Sequence, residues 1–246
     1  MNLVLPCSKV TSPSHVMVAC SGAQQLAPIT VTLKIGLRRL NNCDWDEELS
    51  IGIKEQWAKI LIKVKDAESI TFKRCIKPVN AVGQPDLIIF NDGSELAMCT
   101  AAYIRWECTD DSADCRLWVA KTRVTPLQKL TIYRIEAQSA VMGVRLGETI
   151  KKNSIWEFNN IYYITDSKCL LATLSKDSVA LGEFMGNRVA EILDTTTVKQ
   201  WYHVASKDNI ADLATREKLQ PLGTLTKTVI GKEDLLGCTY LLQSGL

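Results

Sequence analysis

An uncharged stretch of aromatic and β-branched residues, IYYIT at positions 161–165, constrains the fold of this chain most strongly. Such a run is typical of a central strand that is covered on both faces of a sheet. It ends on Asp166, where the pattern predicts the start of a helix over residues 166–175. Ligands of α/β folds bind beyond the carboxyl ends of parallel strands, so Asp166 is a candidate functional carboxylate. The alternative is structural, because aspartate is also a common helix N-cap.

The composition is that of a globular protein. Of the 246 residues, 46% are hydrophobic and 23% are charged, enough to build one large domain or two small ones. The net charge of +2 means that any nucleic-acid binding must come from a local basic patch. Nine cysteines without a CxxC spacing argue against a zinc site and favour a reducing intracellular compartment, cytoplasmic or nuclear. No signal peptide or membrane-spanning run is expected.

The first 80 residues are predicted to form an irregular start followed by helices. A helix over residues 27–40 carries basic side chains on one face, which we interpret as solvent-exposed rather than phosphate-binding. A capping box predicts a second, amphipathic helix over residues 44–65, docked on a neighbouring domain. A short strand over residues 70–76 and a linker over residues 78–85 follow, and the linker marks the expected domain boundary.

Three consecutive strands are predicted after this boundary, over residues 86–90, 97–106 and 115–124. Short turns join them, which is typical of an antiparallel meander. The first strand ends in the sequence Asn-Asp-Gly-Ser, which contains Asp92. Asp92 is therefore a second acid at the end of a buried strand.

A helix predicted over residues 132–152 carries a third acid. Its small and apolar side should pack on the sheet, and Glu136 lies one turn before Ala140 on that side. An ionised carboxylate on a packing face is costly unless something compensates its charge. Arg134 and the helix N-terminus are one explanation, and a bound cation would compensate better.

The fourth acid, Asp212, falls in the last predicted elements. A helix over residues 181–194 and a strand over residues 198–204 precede a final helix that starts near residue 208 and carries Asp212. Asp212 and Arg216 are four residues apart, so a surface ion pair is the structural alternative.

The order of these elements would bring all four acids to one end of the sheet. Four carboxylates in one cleft repel each other strongly unless divalent cations lie among them. Oxygen ligands of this kind suit Mg²⁺ or Mn²⁺. Two such ions can activate a water and stabilise a leaving oxygen, which is the chemistry of phosphodiester hydrolysis.

Four short blocks resemble the catalytic blocks of ribonuclease H in residue type, order and context. They are IIFNDGS at 88–94, RIE at 134–136, ITDS at 164–167 and ADLA at 211–214. Other runs are similar to those of BEL/Pao retrotransposon polyproteins: AKTRVTPL at 120–127, NRVAEI at 187–192 and WYHVASKDN at 201–209. Upstream, LAPIT at 26–30 and FKRC at 72–75 resemble the segment between polymerase and ribonuclease H domains. The resemblance spans residues 20–217, a region also named the Pao retrotransposon peptidase family.

This resemblance implies an α/β fold with a mixed five-stranded sheet flanked by helices. It implies a helical connecting segment within residues 1–80, a ribonuclease H-like domain over residues 86–217 and a C-terminal tail over residues 218–246. The substrate would be the RNA strand of an RNA–DNA hybrid, recognised through 2′-hydroxyls and backbone. The partners would be the reverse transcriptase and integrase portions of the parent polyprotein, without a membrane. The implied catalytic residues, and ligands of two Mg²⁺ or Mn²⁺ ions, are Asp92, Glu136, Asp166 and Asp212.

The chain departs from this pattern at three places. Gly93 stands where these elements usually have alanine, and Ile210 stands where they usually have proline. A histidine-bearing loop that aids product release is not visible, because His203 lies on a predicted strand, and slow turnover is therefore expected.

Two other functions are considered. The first is an inactive nucleic-acid-binding or structural remnant of the polyprotein, favoured by the lack of a Tyr-x-Asp-Asp polymerase sequence and by the modest net charge. The second, an aspartyl protease, is not expected, because the chain has neither Asp-Thr-Gly nor Asp-Ser-Gly.

Overall fold

A computed structural model describes residues 26–40, 43–44, 46–67, 75–176 and 178–216. The predicted irregular start before residue 26 and the tail from residue 218 lie outside these ranges. Within the described part of the chain, no helix has the length and apolar character needed to cross a bilayer. The cysteines of the same part all carry free thiols.

Five strands form one mixed sheet in the order β3-β2-β1-β4-β5. The strands are β1 Ala81–Gly93, β2 Ala97–Cys108, β3 Ala113–Val124, β4 Ile161–Thr165 and β5 Trp201–His203. The first three strands form the predicted antiparallel meander. Strand β4 runs parallel to both β1 and β5. These findings confirm the mixed five-stranded sheet, in which β1 is the middle strand and β4 is an interior strand between β1 and β5.

The helices cover both faces of this sheet. They are α1 Ala27–Leu40, α2 Ile51–Asp66, α3 Ile132–Asn153, α4 Lys168–Leu174 and α5 Gly182–Thr195. Alternate residues of β1 point to opposite faces, so Ile89 joins the core beneath α3, α4 and α5, while Ile88 and Phe90 join the core beside α1. The uncharged run of β1 is therefore explained by burial on both sides.

Two basic side chains of α1, Lys34 and Arg38, are half-buried rather than solvent-exposed as predicted, whereas Arg39 is exposed. The Lys34 Nζ donates a hydrogen bond of 2.9 Å to the Thr122 carbonyl, and the Arg38 guanidinium donates one of 2.7 Å to the Thr125 carbonyl. These donors fix α1 to the outer strand β3 and to the residues that follow it. The opposite side of α1 packs on α2, where a side chain at Gly36 would lie 3.2 Å from the Trp57 ring.

Two predicted boundaries in the first half of the chain are wrong. The Asp44 amide does donate to Glu47 at 3.1 Å, but this bond closes a separate turn, and α2 begins only at Ile51. Strand β1 begins at Ala81, inside the predicted linker. A register shift after Val82 lets the strand accommodate the sequence up to Asp86. Of the predicted strand over residues 70–76, only residues 75 and 76 are described, and they are not in a strand.

The last predicted elements are shorter than expected. Residues Val198–Gln200 form a 3₁₀ turn, closed by a capping box between Thr197 and Gln200, so β5 has three residues rather than seven. The final helix is replaced, within the described residues, by the 3₁₀ turns Ser206–Asp208 and Ile210–Ala214. The second of these turns packs against the sheet through the buried Ala211 and Ala214.

Candidate active site

Parallel pairing of β1 and β4 places two acids side by side. Asn91 pairs with Thr165 at the end of the shared register, so the next residue of each chain segment is an aspartate, Asp92 or Asp166. Helix α3 crosses this end of the sheet and brings Glu136 to the same place. It approaches closely because Gly93 has no side chain: a Cβ there would lie 2.9 Å from Ile135 Cγ2 and 3.1 Å from the Ile135 carbonyl oxygen.

Three of the four predicted site residues form a group. One carboxylate oxygen each of Asp92, Glu136 and Asp166 lies within 4.8 Å of the others. Asp212 is not in this group and forms an ion pair with Arg216 instead. Its charge still contributes to the raised pKa of Asp92. The surface ion pair that the sequence suggested as an alternative for Asp212 is therefore present.

Burial makes ionisation of the group unfavourable. Desolvation raises the pKa of Asp92 to about 6, a hydrogen bond from Thr215 opposes this shift, and the Asp166 and Asp212 charges add to it. Desolvation and the charges of Asp92 and Asp166 raise the pKa of Glu136 to about 8. Without a cation, Glu136 therefore keeps its proton at neutral pH. A bound divalent ion would displace that proton, because only the carboxylate is a good ligand.

The Glu136 side chain has a shielded oxygen without a hydrogen-bond partner. This atom is Oε2, and none of the described residues donates to it. Arg134, which the sequence suggested as its compensating charge, lies over the Phe184 ring at 4.8 Å. Arg188 lies over the same ring at 3.9 Å and donates to Gln138 at 3.4 Å. Both arginines thus link α3 to α5 next to Glu136, and the suggested compensation by Arg134 is not found.

Asp166 does not cap the helix that follows it. The N-cap of α4 is Ser167, whose side chain accepts a hydrogen bond of 3.3 Å from the Leu170 amide. The structural alternative for Asp166 is therefore wrong, and its carboxylate remains available to the acid group. Its Oδ1 accepts one hydrogen bond of 3.2 Å from the Asn209 amide nitrogen.

Asn209 connects the acid group to the last 3₁₀ turn and was not singled out from the sequence. It is 2% exposed. Its Nδ2 also donates to the Asn91 carbonyl at 3.1 Å, while its Oδ1 accepts from the Ala211 amide at 3.3 Å. Every polar atom of this side chain is thus used to hold Asp166, β1 and the turn together. The only signal in the sequence is its place in the run WYHVASKDN.

Two hydroxyl groups donate hydrogen bonds to Asp92 and a third supports one of them, and none of the three was assigned a role from the sequence. Thr215 donates to Asp92 Oδ2, and Ser94 Oγ in turn donates to the Thr215 carbonyl at 2.8 Å. Ser139, which is fully buried on α3, donates to the Asp92 carbonyl at 2.7 Å. The strand end, α3 and the residue after the last 3₁₀ turn therefore meet at one residue, Asp92, where Thr215 bonds the carboxylate and Ser139 the backbone carbonyl.

The arrangement fits a hard divalent cation. Three carboxylates supply the oxygen ligands that Mg²⁺ and Mn²⁺ prefer. The shielded Glu136 Oε2 has no hydrogen-bond partner among the described residues, and a bound cation would interact with it. Burying a carboxylate oxygen without any such partner is energetically costly. The three carboxylates are therefore chemically suitable ligands for a divalent metal ion.

The solved structures that are similar to this chain include two ribonuclease H proteins. One is the N-terminal ribonuclease H domain of Rv2228c from Mycobacterium tuberculosis, as a fusion with maltose-binding protein. It is 13% identical, with a TM-score of 0.37, and the match covers 58% of this chain and 98% of that one. The other is RNase H1 from the halophilic archaeon Halobacterium salinarum, 12% identical, with a TM-score of 0.29 and coverage of 52% and 91%. No curated protein matches the chain.

The family comparison covers more than half of the chain. The model of the Pao retrotransposon-like RNaseH-like domain matches residues 21–167. This range includes Asp92, Glu136 and Asp166 and ends before Asp212. It also includes α1 and α2. The chain belongs to the Pao retrotransposon-like RNaseH-like domain family.

Proposed function

We propose that this chain is a divalent-metal-dependent endonuclease that hydrolyses the RNA strand of RNA–DNA hybrids during reverse transcription. The observation that carries the proposal is the convergence of Asp92, Glu136 and Asp166, three acids from three separate elements, within 4.8 Å. In the parent polyprotein, the reverse transcriptase and integrase portions would be its partners.

The residues of this site would have distinct roles. Asp92, Glu136 and Asp166 would hold Mg²⁺ or Mn²⁺, and Asp212 would join them for a second ion. Bound ions of this kind supply an activated water and stabilise the leaving oxygen. Asn209 orients the Asp166 carboxylate, and Thr215 orients that of Asp92. Glu136 changes from a neutral acid to a carboxylate when a cation binds.

The substrate would be recognised through its backbone. Arg134 and Lys168 are exposed, and each lies two residues from an acid of the site, in the helices α3 and α4. Such residues can neutralise phosphates beside the reacting bond even though the net charge of the chain is only +2. The 2′-hydroxyls would distinguish the RNA strand from DNA.

Cleavage of a labelled RNA–DNA hybrid tests the proposal. The wild-type protein should cut the RNA strand with Mg²⁺ or Mn²⁺ and lose this activity with EDTA. Asp166→Asn should abolish cleavage, because an amide is a poor ligand for a hard cation. Asp194→Asn, at an exposed acid of α5, is the matched control and should cut normally. Cleavage that persists in Asp166→Asn would identify a contaminating nuclease.

A second function is favoured by the state of Asp212. This acid is ion-paired and lies outside the three-acid group, which favours an inactive nucleic-acid-binding or structural remnant as the second candidate. Such a remnant would bind the hybrid with a strong dependence on salt and would not cut it. Binding and cleavage assays on the same preparation separate the two functions.

A further inference from the structure

The ion pair between Arg216 and Asp212 places a positive charge next to the acid group. The Arg216 side chain is 50% exposed, while that of Asp212 is 18% exposed. The hydrogen bond that Arg216 donates to the Asp212 carboxylate raises the pKa of Arg216, and the charges of Asp212, Asp92 and Asp166 add to this effect. The guanidinium is thus attracted by three of the four acids.

The backbone next to Arg216 is anchored to the same site. Thr215 is 1% exposed, its hydroxyl donates to Asp92, and its carbonyl accepts from Ser94 at 2.8 Å. These bonds fix the residue before Arg216 against the end of β1. Within the described part of the chain, no other cationic side chain forms an ion pair with any of the four acids. Among the described residues, Arg216 is therefore the cation that is directly paired with an acid of the site.

We propose that Arg216 is an internal counter-cation that holds the Asp212 carboxylate while divalent ions are absent, and that it weakens the binding of the second ion relative to the first. This inference rests on the proposed two-ion function. The first ion needs Asp92, Glu136 and Asp166, none of which is paired with a cationic side chain. The second needs Asp212, so its binding requires that the carboxylate leave Arg216.

The size of the effect follows from the exposure of the pair. Partly exposed ion pairs contribute little, and a guanidinium a few ångström from a divalent ion repels it weakly through solvent. The loss of the ion pair and the repulsion between the guanidinium and the second ion together correspond to roughly a five- to tenfold loss of affinity for that ion. Because solvent ions screen exposed charges, the loss should shrink as the salt concentration rises.

Titration with MnCl₂, followed by calorimetry and by electron paramagnetic resonance of free Mn²⁺, tests the proposal on the protein without nucleic acid. The wild type should bind one Mn²⁺ tightly and a second weakly. Arg216→Gln should strengthen the weak site roughly five- to tenfold and change the tight site less than twofold. Arg216→Lys keeps the charge and should leave the weak site within about threefold of the wild type.

Two further variants serve as controls. Arg145→Gln breaks an exposed arginine–carboxylate pair of the same kind, with Glu191, away from the acids, and should leave both affinities unchanged. Asp212→Asn should remove the weak site and keep the tight one. An Arg216→Gln variant whose weak site is unchanged or weaker overturns the inference, as does a wild type that binds two ions equally.

The inference and the nuclease proposal can fail separately. If hybrid cleavage is absent but the two Mn²⁺ affinities respond to Arg216→Gln as expected, the nuclease proposal fails and the inference stands. If cleavage is present and the variant leaves the weak site unchanged, only the inference fails. A wild type that binds no Mn²⁺ at all overturns both.

Discussion

Replacing Asn209 by alanine should destabilise the protein more than the small loss of side-chain volume suggests. The change removes the donors to the Asn91 carbonyl and to Asp166 Oδ1, and the acceptor for the Ala211 amide. A neutral hydrogen bond contributes about 1 kcal/mol and one to a carboxylate about 2 kcal/mol. Bound water can replace some of these hydrogen bonds in the variant. We therefore expect the free energy of unfolding to fall by about 3 kcal/mol.

Urea unfolding monitored by circular dichroism measures this loss, and thermal unfolding should show a melting temperature lower by about 6–12 °C. Asn159→Ala is the matched control, because Asn159 is exposed and its Nδ2 makes a single hydrogen bond, to the Gln84 carbonyl at 2.8 Å. It should cost less than about 0.5 kcal/mol. In addition, the loss of Asp166 orientation should weaken Mn²⁺ binding by about 10–100-fold.

The reasoning would be refuted if Asn209→Ala lost no more stability than Asn159→Ala, because the buried bonds would then contribute nothing. An unchanged Mn²⁺ affinity, with the stability loss present, would refute only the orienting role.

Two other predictions concern the same end of the sheet. Gly93→Ala should lower the free energy of unfolding by about 1–3 kcal/mol in urea titrations, because its Cβ would meet the Ile135 backbone at 3.1 Å; normal stability would mean that α3 shifts freely. The stability of the metal-free protein should fall as pH rises from about 4 to about 8, because the folded state binds protons on Asp92 and Glu136 more tightly than the unfolded chain does. Urea unfolding in EDTA at several pH values checks this, and Glu136→Gln should flatten the upper part of the curve.

The strands and the inward-facing acids could be predicted because they depend on local periodicity. Burial on both faces of β1 and β4 leaves uncharged runs, and a carboxylate at the end of such a run stands out. The position of Glu136 follows from helical spacing relative to Ala140. These patterns need no knowledge of distant contacts, and three of the four predicted acids lie together in the structure.

The elements that sequence reasoning missed depend on contacts between distant residues. Arg38 looks like an exposed charge until the Thr125 carbonyl, 87 positions away, is placed beside it. Asn209 looks like an ordinary loop residue until Asp166 and Asn91 surround it. The last turn is 3₁₀ rather than α-helical, with Asn209 capping it and Thr215 bonded to Asp92 at its other end. Hydrophobic patterns contain no information on such polar links.

The attachment of α1 to β3 affects how this protein can be shortened for study. Strand β3 is the outermost strand, and Lys34 and Arg38 occupy carbonyl groups at its end that would otherwise be open to another chain. A fragment that starts at residue 86 would lose these donors together with Ala27, Val31 and Ile35 from the apolar contacts beneath them. Exposed strand edges promote intermolecular pairing, so such a fragment should aggregate during expression. Recombinant versions should therefore keep the first helix.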